Sequence, residues 1–422
     1  MENYGACIED SKKSIEIDKN YAKGYYRLGS AQLGLGKYKE ALKSFKLVVK
    51  LYPTNKEARD KLTNCDKIVK RIAFEDAISF NEVPISESID LTTIDVDTDY
   101  KGPRLENEIT IEFIKELINH LKEQQKLHIK YVYTILLQVK KILEKLPTLL
   151  EIEVTKNNTF NVCGDTHGQF YDLLNIFQIN GLPSNNNPYL FNGDFVDRGS
   201  FSFEVVILLF SLKLLLPNDM HLLRGNHETI NMNNIYGFRN EVEAKYNKKV
   251  FELFTEVFNY LPLSAVINKK VFVVHGGLFS KDGVTLQDIK NVNRVRQPPD
   301  EGLFCEMLWS DPQPFNGRSP NKRGVAIGFG PDVTEQFLKD NSLELVIRSH
   351  EVKEEGYLIE HNGKLITVFS APNYCDTTGN KGAIVKLNFD DGNVKTTFVQ
   401  FKEVPHPNIK PMAYSSSFSN FL

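Results

Sequence analysis

Five stretches of this sequence place carboxylate, imidazole and amide side chains directly after short apolar runs, with glycine beside them. The runs predict strands at residues 160–163, 189–191, 222–223, 271–274 and 345–347. In open α/β sheets, reactive residues gather where strands end at the carboxyl edge. Side chains of these types suit Mn, Fe, Zn or Mg as ligands. The predicted strand ends carry six of them: Asp165, His167, Asp194, Asn226, His275 and His350.

The segment GDTHG illustrates how the spacing could build a metal site. Asp165 and His167 lie two residues apart, so in extended backbone both side chains project to one side. Gly164 and Gly168 allow tight turns that a Cβ would obstruct. Asp194 has two oxygens, which can bridge two metals roughly 3.5–4 Å apart. The pattern therefore predicts a centre with two divalent metal ions.

The distribution of histidine separates this prediction from a purely structural explanation. A single histidine after a strand is more often a hydrogen-bonded structural group than a ligand. Of the nine histidines in the chain, four fall within these blocks: His167, His227, His275 and His350. That clustering, together with the order of the blocks, favours a functional site over a chance arrangement of structural histidines.

Length, composition and charge limit the class of protein. A chain of 422 residues predicts two domains, or one large domain with an appendage. A hydrophobic fraction of 41% and a charged fraction of 25% are typical of soluble globular proteins. The net charge of −3 argues against nucleic acid as the main partner, since phosphate backbones favour basic surfaces.

Cysteine usage and the amino terminus bear on the compartment. The five cysteines are scattered without a CxxC pair, so we expect reduced thiols and a location in the cytoplasm, the nucleus or both. The first residues are polar and contain no hydrophobic signal core. The longest apolar stretches, such as Val205–Phe210, are far shorter than the roughly 20 residues of a membrane span.

Residues 1–78 predict helices arranged as tetratricopeptide repeats. In segment 22–53, Gly29 and Ala41 allow two helices to approach closely, and Phe45 fills the groove between them. The spacing resembles one complete repeat of about 34 residues. Segment 4–19 resembles the second helix of a preceding repeat, and segment 56–74 a capping helix. About three repeats are normally needed for stability, so a truncated array, or a generic helical hairpin, is expected here.

The remainder of the chain predicts a linker and an α/β domain. Residues 80–104 are acidic and end in Gly102-Pro103, which predicts a linker with at most a short strand. Helices are predicted around 114–121 and 127–145, and strand-like runs alternate with helical ones from 158 to 407. The predicted domains are a repeat region at 1–78, an acidic linker at 79–104, a catalytic domain at 105–410 and a tail at 411–422.

Taken together, six motifs resemble the phosphoprotein phosphatase family of metal-dependent serine/threonine phosphatases. They are GDTHG, GDFVDRG, LRGNHE, HGGL, IRSHE and SAPNYC, and the resemblance covers about residues 150–410. With the repeat and the run HPNIKPMAY, the whole chain is similar to the tetratricopeptide-containing type 5 members. The resemblance implies an α/β (α+β) metallophosphoesterase fold. Its central β-sandwich is flanked by helices and preceded by an all-α tetratricopeptide remnant.

The resemblance also implies a role for each site residue. One metal would take Asp165, His167 and Asp194; the other would take Asp194, Asn226, His275 and His350. A hydroxide that bridges the metals would attack phosphorus directly. His227 would protonate the departing alkoxide, oriented by Asp197. The phosphate would be held by Arg198, Asn226, Arg323 and Tyr374. Without the resemblance, Arg323 is more simply a solvated charge, and Tyr374 is as readily a core residue as a phosphate contact.

Lys23 and Arg27 are candidates for binding a partner. They lie four residues apart on one predicted helix, where matching residues of the type 5 family grip the carboxylates of a chaperone tail. A solvated helix face explains them equally well. The other residues of that clamp belong to repeat segments that this sequence lacks, so chaperone binding and autoinhibition by the repeats stay open.

Two further classes of protein stay open as alternatives. A small-molecule metallophosphoesterase, such as a dinucleotide polyphosphate hydrolase, shares the GDxHG, GDxVDRG and GNH blocks but generally lacks SAPNYC and a partner-binding repeat. An inactive scaffold is the second, although every expected ligand is present. The prediction from sequence is a phosphatase whose substrates are phosphoproteins.

Overall fold

The computed structural model describes residues 3–78, 83–106, 108–155, 158–390 and 393–415. Within these ranges the chain divides into two compact units. The helical unit contains residues up to 84 together with segment 320–326, and the catalytic unit contains 85–319 and 327–415. None of the helices described is both long and apolar enough to cross a membrane.

The helical unit consists of four helices: α1 (Tyr4–Ile17), α2 (Ala22–Gly34), α3 (Tyr38–Leu51) and α4 (Lys56–Ile78). Ala41 and Phe45 are fully buried, and a Cβ built on Gly29 would lie 3.1 Å from the Phe45 ring. Helix α4 begins after Asn55, whose side chain accepts a hydrogen bond from the backbone N–H of Ala58. The predicted repeat helices are therefore confirmed, and the last one extends four residues beyond the predicted end at Phe74.

The catalytic unit contains ten helices and fourteen strands within the described residues. Its helices are α5 (Ile111–Lys122), α6 (Ile129–Leu143), α7 (Phe170–Asn180), α8 (Ser202–Leu215), α9 (Ile230–Tyr236), α10 (Phe238–Lys245), α11 (Lys248–Asn259), α12 (Leu286–Lys290), α13 (Leu303–Trp309) and α14 (Pro331–Asp340). Its strands are β1 (Leu149–Ile152), β2 (Phe160–Cys163), β3 (Tyr189–Phe191), β4 (Met220–Leu222), β5 (Ser264–Ile267), β6 (Val271–Val274), β7 (Asp311–Pro312), β8 (Arg318–Pro320), β9 (Ile327–Phe329), β10 (Leu345–Arg348), β11 (Tyr357–Glu360), β12 (Leu365–Val368), β13 (Gly382–Asp390) and β14 (Asn393–Phe401).

Two large sheets form the centre of this unit. One has the order β1-β5-β6-β10-β12-β11 and the other β14-β13-β2-β3-β4; a small third sheet has the order β7-β9-β8. Strands β2, β3 and β4 run parallel, as do β6, β10 and β12. Apolar residues from both large sheets, including Val162 and Ile347, form one core, and helices cover the outer faces. The expected β-sandwich flanked by helices is confirmed.

Segment 83–106 differs from the predicted linker. It contains two short 3-10 turns, Ile85–Ser88 and Leu91–Thr93, and no strand among its described residues. Ile89 and Val96 pack against the helical core of the catalytic unit, and the Ser86 hydroxyl donates to Glu256 at 2.6 Å. The acidic residues Asp90, Asp95, Asp97 and Asp99 are exposed, but the hydrophobes between them anchor the segment. The domain boundaries themselves stay predictions, and residues 79–82 lie outside the described part of the chain.

Candidate active site

The six candidate ligands lie at strand ends that belong to both large sheets. Asp165 and His167 follow β2, Asp194 follows β3 and Asn226 follows β4, all in one sheet; His275 and His350 follow β6 and β10 in the other. Asn192 joins the two sets, because its side-chain amide donates to the Val274 carbonyl and to the Ser349 hydroxyl, each at 2.8 Å. The site therefore lies between the two large sheets, where the carboxyl ends of strands from both sheets converge.

Backbone conformation at the site is unusual for non-glycine residues. His167, Asp194 and His350 adopt positive φ angles of 40°, 52° and 67°. Such left-handed residues cost of order 1–3 kcal/mol each and persist where their surroundings fix them. The extended backbone expected at His167 is therefore wrong. Its ring still faces the pocket because Nδ1 donates to the Val196 carbonyl at 3.0 Å, which orients Nε2 toward the carboxylates.

Asp194 lies at the centre of the cluster. The Nε2 atom of His167 lies 3.6 Å from Oδ2 of Asp165 and 3.6 Å from Oδ2 of Asp194. On the other side, Nε2 of His275 lies 3.3 Å from the same Asp194 oxygen. Two groups able to hold a metal ion share this carboxylate: His167, Asp194 and His227, and Asp194, His275 and His350.

The second half of the cluster is fixed by His275. Its Nε2 lies 2.9 Å from Oδ1 of Asn226 and 3.3 Å from Nδ1 of His350. Its other nitrogen, Nδ1, lies 2.7 Å from the Asn192 carbonyl, which can only accept a hydrogen bond. Nδ1 therefore carries the proton, and Nε2 presents a lone pair to the pocket, as a metal-ligating imidazole must.

The electrostatics of the pocket favour a bound cation. Burial, followed by the neighbouring Asp194 carboxylate, raises the pKa of Asp165 to about 7. Burial lowers the pKa of His275, which keeps that ring neutral. Two buried carboxylates with neutral imidazoles and an amide form a donor set that fits divalent ions of the Mn, Fe, Zn or Mg type. The residues present therefore fit a pair of metal ions.

Glu228 is a functional residue that the sequence analysis did not assign. Its buried carboxylate accepts hydrogen bonds at 2.8 Å from the backbone N–H groups of Asp194, Phe195 and Gly225. Burial raises its pKa to about 7, against the lowering effect of these three donors. The signal was its position immediately after His227 in the RGNHE block. Glu228 ties the loop after β3 to the loop after β4.

Gly225 shows how closely those two loops approach. A Cβ at this position would lie 2.2 Å from Oδ1 of Asp194 and 2.4 Å from its backbone nitrogen. Side chains of any other residue type are thus excluded by contact with the central carboxylate.

The predicted acid, His227, and its partner Asp197 are in direct contact. Nδ1 of His227 lies 2.9 Å from Oδ2 of Asp197, and Asp197 is fully buried. The same carboxylate accepts from the Phe238 backbone N–H at 2.9 Å and from the Asn233 amide at 3.0 Å. Burial raises the pKa of Asp197, and these two donors oppose that rise. His227 thus uses Nδ1 for orientation, which leaves Nε2 for the pocket.

Two of the predicted phosphate contacts lie beside this cluster. The Tyr374 ring is 5.1 Å from that of His167. Arg198 follows Asp197 directly, with a positive φ of 70°, and its guanidinium carbon lies 3.7 Å from the centroid of the Tyr236 ring. Of the other two predicted contacts, Asn226 belongs to the cluster itself, and Arg323 lies in segment 320–326, which groups with the helical unit.

The candidate partner-binding residues lie in the helical unit. Lys23 and Arg27 occupy helix α2 four residues apart, and both side chains are exposed. Their spacing on one helical face is as predicted. Their role in binding stays a prediction.

Comparisons with known proteins identify the family. Residues 159–354 match the model of the calcineurin-like phosphoesterases, residues 22–55 that of the tetratricopeptide repeat, and residues 62–151 that of the PPP5 TPR repeat region. A human relative, serine/threonine-protein phosphatase 5, is 56% identical over 419 residues, which cover 99% of this chain and 84% of the relative. The chain belongs to the serine/threonine-protein phosphatase 5 family.

Other members of the family match over similar lengths. Serine/threonine-protein phosphatase T of Trypanosoma brucei brucei is 53% identical over 420 residues, which cover 99% of this chain and 88% of the relative. Among solved structures, a protein serine/threonine phosphatase from Saccharomyces cerevisiae, described as similar to human phosphatase PP5, has a TM-score of 0.69 and 46% identity. The match covers 72% of this chain and 100% of the chain in that structure. The family implies two divalent metal ions, and the clusters described above are candidates to hold them.

Proposed function

We propose that this protein is a metal-dependent phosphatase that hydrolyses phosphoserine and phosphothreonine in other proteins. The observation that carries the proposal is the convergence of carboxylate, imidazole and amide groups around Asp194, at the ends of strands from two sheets. The names of its relatives in the serine/threonine-protein phosphatase 5 family support the same substrate class.

In this proposal the cluster holds two divalent metal ions. Asp165, His167 and Asp194 would hold one ion, and Asp194, Asn226, His275 and His350 would hold the other. When bound, such ions would supply positive charge for the phosphate dianion and would lower the pKa of a nearby water molecule toward ~7. Manganese, iron, zinc and magnesium all suit this donor set. Glu228 keeps the central carboxylate in place through the backbone of its loop.

His227 supplies the proton that the leaving group needs. Serine and threonine leave as alkoxides, which are poor leaving groups unless they are protonated. Because Asp197 accepts a hydrogen bond from Nδ1–H, the imidazole presents Nε2–H to the pocket when it is protonated. The neighbouring His167 ring, 4.7 Å away between centroids, places this donor beside the metal ligands.

The phosphate itself is held by cationic and polar side chains. Arg198 offers a guanidinium fork that matches two phosphate oxygens. Asn226 and Tyr374 add polar contacts. The phosphate contact of Arg323 stays a prediction from the sequence. The contact between Arg198 and the Tyr236 ring supports this role, since it limits the conformations that the guanidinium can adopt.

The helical unit provides a binding site for protein partners in this proposal. Lys23 and Arg27, both exposed on α2, would pair with the carboxylates of a chaperone's carboxyl-terminal tail. The protein would act in the cytoplasm, the nucleus or both. No disulfide joins the five cysteines, all of which lie in the described part of the chain, and this supports a reducing compartment.

Turnover of defined substrates tests the proposed activity. Purified protein is supplied with manganese and assayed on a phosphothreonine peptide, on a dinucleotide tetraphosphate and, as a control, on the peptide after chelation. We expect phosphate release from the peptide that is abolished by the chelator and by Asp194→Asn. Preferential turnover of the dinucleotide would favour the small-molecule alternative, and no turnover of either substrate would favour the inactive scaffold.

A further inference from the structure

The carboxyl-terminal segment of the described chain runs across the Arg198 loop. Residues 403–415, here called the strap, contain three prolines, whose fixed φ angles limit the conformations of the chain. The strap begins next to α7, where the Val404 backbone N–H donates to Asp172 at 2.9 Å. It ends next to α10, where the Asn240 amide donates to the Tyr414 carbonyl at 2.9 Å. Both ends are thereby tied to helices of the catalytic unit.

Between these ends, the strap binds the backbone of the loop that carries Arg198. The Met412 N–H donates to the Arg198 carbonyl at 2.7 Å, and the Ser200 hydroxyl donates to the Lys410 carbonyl, also at 2.7 Å. The Ala413 N–H donates back to the Ser200 hydroxyl at 3.3 Å. Met412 adopts a positive φ of 57°, a strained conformation that the surrounding contacts maintain.

The strap also contacts the guanidinium itself. Nη1 of Arg198 lies 4.0 Å from the sulfur of Met412, while the guanidinium carbon stacks at 3.7 Å over Tyr236. Sulfur is a weak acceptor, so this contact works mainly by packing. An arginine side chain has many rotamers, and its ordering costs free energy when it binds a ligand. Two contacts that order the guanidinium beforehand reduce that cost.

We propose that Met412 is a positioning residue, which holds the Arg198 guanidinium ready for phosphate. The inference rests on the proposed phosphate contact of Arg198 and extends it to a residue more than 200 positions away in the sequence. Met412 does not touch the phosphate in this proposal. It acts through Arg198, from outside the cluster of candidate ligands.

Inhibition by inorganic phosphate and steady-state kinetics on a phosphothreonine peptide test the inference. Because Arg198 holds phosphate in the ground state as well as in the transition state, we expect Met412→Ala to raise KM and the phosphate inhibition constant by roughly three- to tenfold with kcat little changed. Met412→Leu preserves the packing and should restore most of the loss. Ile409→Ala provides the matched control, since Ile409 packs against the helical core from the same strap. That variant should lower the melting temperature without changing the phosphate constant.

A double-mutant cycle separates this inference from the proposed function. If Met412 acts through Arg198, Met412→Ala should add nothing to the phosphate constant of Arg198→Ala. If Met412→Ala raises the phosphate constant equally in the wild type and in Arg198→Ala, the positioning role is overturned. An unchanged phosphate constant in Met412→Ala alone would also overturn it. A normal phosphate constant in Arg198→Ala would instead overturn the phosphate contact itself. Should Met412→Ala fold poorly, Ser200→Ala carries the same cycle, because it removes the neighbouring attachment of the strap.

Discussion

In the helical unit, small and large apolar residues are in close contact, as where Gly29 meets the ring of Phe45. At the strand ends of the catalytic unit, by contrast, buried polar groups face one another, as where Glu228 accepts three backbone N–H groups. The apolar contacts of the helical unit depend on side-chain volume, and they tolerate replacement by another group of similar size. The polar contacts at the strand ends depend on which atom donates and which accepts. Equal changes in side-chain size should therefore have unequal consequences in the two regions.

The largest expected effect is the loss of the proton donor. His227→Asn should lower turnover of a phosphoserine peptide by about 10²–10⁴-fold, because the alkoxide then leaves without general acid assistance. An aryl phosphate, whose leaving group needs less help, should lose far less. Turnover of the two substrates is measured side by side, with His128→Asn as a control outside the pocket. Equal losses on both substrates would remove His227 from the role of acid.

Glu228→Gln should have the next largest effect. The amide cannot accept all three hydrogen bonds, so the loop that carries Asp194 should shift and lower metal affinity or kcat/KM by about 10–100-fold. Manganese titration and phosphopeptide turnover measure this. Glu256→Gln is the matched control, since Glu256 accepts from Ser86 and Lys140 elsewhere in the unit. Activity and metal affinity that stay within twofold of the wild type would show that Glu228 does not support the site.

The pH dependence of stability should reveal the buried carboxyls when metal is removed. Asp165 has a pKa of about 7 in the folded chain, above that of an unfolded aspartate, so the folded state binds the additional proton. The unfolding free energy of metal-free protein should therefore fall as the pH rises between about 4 and 7. Denaturant titrations with a chelator measure this fall, and Asp165→Asn should reduce it. Saturating manganese should oppose it, because the metal binds the deprotonated form. If Asp165→Asn loses stability with pH as steeply as the parent chain, the cause given for the pKa of Asp165 is contradicted.

The smallest expected effect lies in the helical unit. Gly29→Ala adds one methyl group 3.1 Å from the Phe45 ring, and the better helix propensity of alanine offsets part of the crowding. We expect a net loss of about 1 kcal/mol or less in the stability of that unit, measured by thermal unfolding. Turnover of an aryl phosphate should be unchanged. A loss of turnover comparable to that of Glu228→Gln would abolish the contrast between the two regions.

Periodicity and motif spacing predicted the helices of the repeat and the strands that precede each candidate ligand. Both signals are local, since a helix face or a strand end is written in consecutive residues. Glu228 and Asn192 were missed because partners such as Phe195 and Ser349 come from segments far apart in the chain. The position of Glu228 after His227 marks it as a candidate, but it does not reveal which N–H groups it accepts. The hydrophobes of segment 83–106 were underestimated for the same reason. Their number is low, and only the helices beneath them reveal that they are buried.

The amide of Asn192 has a consequence for how the protein loses activity on heating. It bonds the ends of strands from opposite sheets, and the candidate ligands belong to both of them. Separation of the two sheets would disperse the ligands, because four of the six follow strands of one sheet while His275 and His350 follow strands of the other. Thermal inactivation should thus coincide with the opening of the sandwich, and backbone amides at the ends of β3, β6 and β10 should exchange with solvent deuterium in one cooperative step.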